Sequence, residues 1–138
     1  MRRAVTTTAL VLAMALTATV ADAESRPPLR DVAQVDDGLL VLALADEMRK
    51  RCDDIDARMI RALGYINSLK ANARDLGYSK DEIEDYVTSK SEKRRMRARG
   101  EAWMSARGVT PSDTAGLCSL GRTEIDAGTD IGALLRAK

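Results

Sequence analysis

The stretch MIRALGYINSLKANARDLGYSKDE, residues 59–82, decides the fold class. Met59, Ile60, Leu63, Ile66, Leu69, Ala73 and Leu76 recur at spacings of three and four, which draws one apolar stripe along a helix and none along a strand. Gly77 stands where a left-handed residue closes a helix. Two positions later Ser79-Lys80-Asp81-Glu82 has the S-x-x-E form of a capping box, so a second helix starts there with Ile83, Tyr86 and Val87 inward. Helix, stop and helix within thirty residues predict an all-α protein.

Upstream, Asp36-Asp37-Gly38 sets acid at a helix N-terminus, where the macrodipole favours it. Leu39 to Ala45 follows as an unbroken apolar run, which predicts burial on all sides of a helix extending through Met48 to Cys52. Downstream, residues 90–107 are good helix formers, yet a helix continuous with residue 83 would put Ile83 and Tyr86 on the same side as Lys93, Arg94 and Arg97. One face cannot be both core and basic, so a break is expected at Thr88-Ser89-Lys90-Ser91, with Met96, Gly100 and Trp103 inward beyond it. Gly108 closes that element. Thr110-Pro111-Ser112-Asp113 predicts a new start carrying Leu117, Cys118, Leu120 and Ile125, Gly128 ends it, and Ile131, Leu134 and Leu135 form a short last turn. The expected architecture is a compact bundle of four to five helices over residues 36–138. A chain of 138 residues with 31% charged, 45% hydrophobic and only 3% aromatic side chains holds one such domain and is too apolar to be a disordered tail.

The first residues follow another grammar. Arg2 and Arg3 precede a charge-free stretch from Ala4 to Val20, and Ala21-Asp22-Ala23 offers small residues at both positions of a cleavage site. Residues 1–23 are expected to be a cleaved signal peptide exporting the protein to the periplasm, the apolar stretch being short and threonine-rich for a membrane anchor. Residues 24–35, with Pro27-Pro28, read as an extended leader. Removing Arg2, Arg3 and Asp22 from 22 basic and 21 acidic residues leaves twenty of each. A neutral exported chain is a poor match for nucleic acid, and any membrane association is expected to be peripheral.

The chain contains no histidine, which removes Ser-His-Asp and Cys-His catalysis and histidine-containing zinc sites. Asp53, Asp54 and Asp56 lack the spacing of a calcium loop and read, like Asp36-Asp37, as helix-capping acids. No phosphate-binding glycine loop or nucleophile elbow is present, so the expectation is a non-enzymatic protein without cofactor or metal. A carboxylate-only active site would leave no local motif. The two cysteines, Cys52 and Cys118, are expected to form a disulfide in an oxidising compartment; a reactive thiol pair is the alternative.

The densest charge feature is KSEKRRMRAR, residues 90–99, with six basic residues in ten. Lys90, Lys93, Arg94 and Arg97 form one helical ridge, a candidate contact surface for an acidic partner or envelope component. The competing reading is a solvated face paired with Asp81, Glu82, Glu84 and Asp85.

The segments PPLRD (27–31), DDGL (36–39), ADEMRKRC (45–52), DARMIRAL (56–63), DYVTSK (85–90) and IGALLR (131–136) together resemble a small α-proteobacterial family of exported helical proteins classed as a domain of unknown function. The resemblance spans nearly all of the chain after residue 23. It implies a compact helical domain with paired cysteines and carries over no catalytic residue. It also implies, as an alternative to a free protein- or envelope-binding module, an accessory subunit on the periplasmic face of a respiratory membrane complex such as NADH:quinone oxidoreductase.

Overall fold

The computed structural model describes residues 26–138; the expected signal peptide lies outside the described residues. A 3-10 turn at Leu29–Asp31 leads into α1 (Ala33–Arg51), a short strand β1 (Ile55–Ala57), α2 (Met59–Asp75), α3 (Lys80–Thr88), α4 (Lys90–Ser105), α5 (Thr114–Ala127), the single-turn α6 (Asp130–Ala133) and β2 (Leu135–Ala137). The domain is mainly helical and carries the Cys52–Cys118 disulfide. α6 brings the helix count among the described residues to six.

The local stop signals act where the sequence places them. Gly77, Gly108 and Gly128 all have positive φ, which an L side chain rarely adopts. Each closes its helix with backbone bonds back into the last turn, such as Tyr78 N–H to the carbonyl of Ala73. The capping box is complete, with Ser79 Oγ accepting from Glu82 N–H and the Glu82 carboxylate accepting from Ser79 N–H. Ser89 separates α3 from α4 and caps α4 by accepting from Glu92 N–H. That single non-helical residue re-aims the chain, turning Ile83 into one core and Met104 into another.

Three expectations shift. α1 begins at Ala33, inside the expected leader, and the 3-10 turn precedes it, because Leu29 and Val35 are buried against Ala73, Tyr78 and Ile83. Apolar anchoring overrides the extended bias of the proline pair. α5 begins at Thr114, because the Asp113 carboxylate, and not the Thr110 hydroxyl, caps it by accepting from Gly116 N–H. The last turn continues into β2, which pairs antiparallel with β1 in the register Ile55↔Ala137, Asp56↔Arg136, Ala57↔Leu135. Strands of three residues surrounded by helix leave almost no period-2 pattern.

α1 is the central helix, packed against α2, α4, α5, α6 and β1. The main core gathers Leu44, Met48, Cys52, Ile55, Met104, Leu117 and Leu135 around its C-terminal half, with Met48, Leu117 and Leu135 out of contact with solvent. Its middle turns, residues 39–43, are only half-buried, short of the burial that seven apolar residues in a row predict. Helix α6 lies close on α5. A Cβ on Gly132 would stand 1.8 Å from the Glu124 carbonyl oxygen, so only glycine fits that crossing.

Candidate functional site

The basic stretch splits into two sets on opposite sides of α4. At about 100° per residue, Glu92, Arg95 and Arg99 fall on the inward arc with Met96 and Trp103, and all three are half-buried. Their partner is Asp36, which is only 4% exposed. Arg95 donates to both oxygens of the Asp36 carboxylate, at 3.0 Å to Oδ2 and more closely to Oδ1. Arg99 also binds Asp36 Oδ2 and reaches Asp37 at 2.7 Å, and the Tyr86 hydroxyl donates to Asp36 Oδ1. Arg95 Nε donates to Glu92 at 2.8 Å, and Glu92 pairs in turn with Arg30. The network joins the 3-10 turn, α1, α3 and α4.

Burial pushes the Asp36 carboxyl up, but the hydrogen bonds from Arg95 and Tyr86 and the two guanidinium charges outweigh it and hold it below the usual carboxylate range. Burial and the facing carboxylate raise the Tyr86 phenol, so it stays a neutral donor. Asp36 is therefore neither a capping acid nor a free one. It is the fully occupied centre of an inter-helix clasp.

The outward set is Lys90, Lys93, Arg94 and Arg97, all exposed. No ion pair among the described residues includes any of them, so the pairing with Asp81, Glu82, Glu84 and Asp85 that the competing reading required does not form. Lys93 and Arg97 stand on the wall of an open groove of about 530 Å³ between α1 and α4. Its floor is Ala43, Leu44, Met96, Gly100 and Met104. The carboxylates on its α1 side are already engaged: Asp46 by Arg49 and Lys50, and Glu47 by Arg51. On the α4 side Glu101, exposed and in no ion pair, lines the groove one turn after Arg97, so the groove offers a strip of apolar floor beside two unpaired cations and one unpaired acid. Such a strip suits an amphipathic ligand with acid along one edge.

The other acidic cluster tethers the chain's end. Asp54 pairs with Arg122 at 2.7 Å and Asp56 with Arg136 at 2.8 Å, fastening α5 and β2 to the turn and strand before α2. Neither caps α2, whose first residue has no side-chain cap. Among the described residues no group of three or more carboxylates and thiols could hold a metal ion. A model of a known family matches residues 27–136, which is most of the chain. The chain belongs to DUF5333, a family of unknown function. No match was found among curated proteins or solved structures.

In this DUF5333 domain the sequence ridge and the structural ridge coincide, whereas the Asp36 clasp escapes the sequence reading. A signal for it was present. Glu92 and Arg99 interrupt the apolar arc of α4, and a charge on an inward arc needs a buried partner of opposite sign. Nothing local says which acid that is, since Asp36 lies 59 residues from Arg95 and 63 from Arg99.

Proposed function

We propose that this protein is an exported, non-enzymatic binding module whose α1–α4 groove receives an acidic amphipathic segment of a protein partner in the cell envelope. The observation that carries the reading is that Lys93 and Arg97 are exposed, unpaired and set along a groove with an apolar floor, while Arg95 and Arg99 of the same helix are consumed internally. Cations on the rim of a contact surface speed association and make it salt-sensitive, with little effect on folding. The triple variant Lys93→Glu/Arg94→Glu/Arg97→Glu is expected to melt within about 2 °C of the parent, since exposed charges away from a network contribute little. It should lose the salt-sensitive capture of a partner from the envelope. Undiminished capture would reduce the ridge to a solvated face, and an unfolded variant would make it structural.

Export rests on the charge and apolar pattern of residues 1–23 and on the paired cysteines, a bond that persists in oxidising compartments. Protein recovered from the periplasm is expected to begin at or near Glu24 by intact-mass measurement. A chain retaining residues 1–23 in the cytoplasm would sink this part of the proposal. A second reading, an accessory subunit docked on the periplasmic face of a respiratory membrane complex, draws support from the exposed apolar side chains of α2, which include Ile60 at 87% exposure. Co-purification with such a complex after mild detergent extraction separates the two.

A further inference from the structure

The first turns of α2 turn their apolar side chains away from the core. Met59, Ile60 and Leu63 are 58%, 87% and 56% exposed, while Leu69 and Ala73, farther along the helix and rotated toward the core, are buried. By helical periodicity Met59, Ile60, Leu63, Lys70 and Arg74 share an arc of about 100°, and Arg61 flanks it. The charge that α2 and its N-cap carry is mostly of one sign. Arg58, Arg61, Lys70 and Arg74 are absent from the ion pairs among the described residues, and Asp75 at the far end is the one acid on the helix. Arg58 spends one donor on the Leu135 carbonyl and keeps its charge.

The patch continues inward. Met59 borders a second groove, about 520 Å³, whose walls include Leu42, Ala62, Ile66, Val87 and Leu134, with Lys93 and the Asp46–Arg49 ion pair also lining it. Apolar side chains pointing into solvent, bordered by unpaired cations whose long stems can lie along an apolar boundary, form the pattern of a surface that seats on an anionic interface. No described helix is long and apolar enough to cross a membrane, so contact through α2 would be shallow and in the plane of the surface.

We propose that α2 is a peripheral membrane-docking face that inserts Met59, Ile60 and Leu63 among acyl chains while Arg58, Arg61, Lys70 and Arg74 bind anionic phospholipid headgroups. The proposal stands apart from the α1–α4 groove reading and survives its failure. It requires both parts of the face at once: the apolar trio supplies depth and the cations supply selectivity for negative lipid.

The test is flotation of the full-length gene product, purified as the cell processes it, with vesicles of phosphatidylcholine alone or mixed equally with phosphatidylglycerol. Binding is expected to the mixed vesicles, weakened by salt and by omission of phosphatidylglycerol. Ile60→Ser/Leu63→Ser and Arg61→Glu/Arg74→Glu are each expected to lower partitioning about tenfold or more, with unchanged circular dichroism because all four altered side chains are exposed. Equal binding by parent and variants, equal binding to neutral vesicles, or no binding at all would overturn the proposal. So would a concentration-dependent dimer that Ile60→Ser dissociates and that ignores vesicles, since the face would then join two copies.

Discussion

Replacing Asp36 by alanine is expected to destabilise the domain by about 3 kcal/mol, measured by chemical denaturation at neutral pH. The substitution removes a buried carboxylate that takes donors from Arg95, Arg99 and Tyr86, and leaves Arg95 with Glu92 alone and Arg99 with Asp37 alone at the α1–α4 contact. Breaking one side of a buried pair costs roughly 3–5 kcal/mol. The lower end applies here, because the Arg95 and Arg99 side chains keep 28% and 31% of their surface in water and can turn toward it. The same group gives the protein a pH signature. Its folded pKa lies below that of the unfolded chain, so its stabilisation is complete above the ordinary carboxylate range, near pH 4 for a free aspartate, and is lost as pH falls through that range toward the folded value. Glu92, held low chiefly by its hydrogen bond from Arg95, acts in the same direction. Denaturation midpoints should be flat from pH 8 to about pH 5 and should fall below it, with a shallower fall in Asp36→Asn. A variant as stable as the parent would show that the clasp adds nothing beyond packing.

Opening the Cys52–Cys118 bond is the second large expected effect. Cys52 is 2% exposed at the end of α1, and Cys118 lies half-buried on α5, 66 positions away. In the chain-entropy account, closing a loop of that length restricts the unfolded chain by roughly 4 kcal/mol, a substantial share of the 5–15 kcal/mol typical of a small domain. Cys52→Ser/Cys118→Ser, or reduction without denaturant, is expected to lower the melting temperature by roughly 15 °C. The dependence should be steep because the bond closes over the main core: Met48, Ile55 and Leu117 pack in the same cluster as Cys52. An unchanged melting temperature would mean that α1 and α5 hold each other by packing alone.

Other features of the fold yield to reading in proportion to how local they are. The register of α2, the capping box at Ser79 and Glu82, and the change of direction at Ser89 each depend on residues within one or two helical turns. Of the candidate contact residues, Lys90, Lys93, Arg94 and Arg97 stand together and exposed, as the helical spacing predicts. Their groove was not legible, because its other wall is α1, whose apolar run announces burial without saying which partner covers which side.

The sequence by itself determined the all-helical class, the glycine stops at Gly77, Gly108 and Gly128, and the one possible disulfide, since glycine conformation, capping hydroxyls and a lone pair of thiols act through the nearest backbone or through arithmetic alone. Only the tertiary structure decided that Asp36 clasps Arg95 and Arg99, that the chain's end returns as a strand beside Ile55–Ala57, and that α2 leaves Met59, Ile60 and Leu63 uncovered. The physical reason is shared. A helical stripe fixes which side chains lie on one face, but whether that face meets a core, an opposite charge or solvent depends on elements 50 to 80 residues away, such as Tyr86 on Asp36 and Arg136 on Asp56.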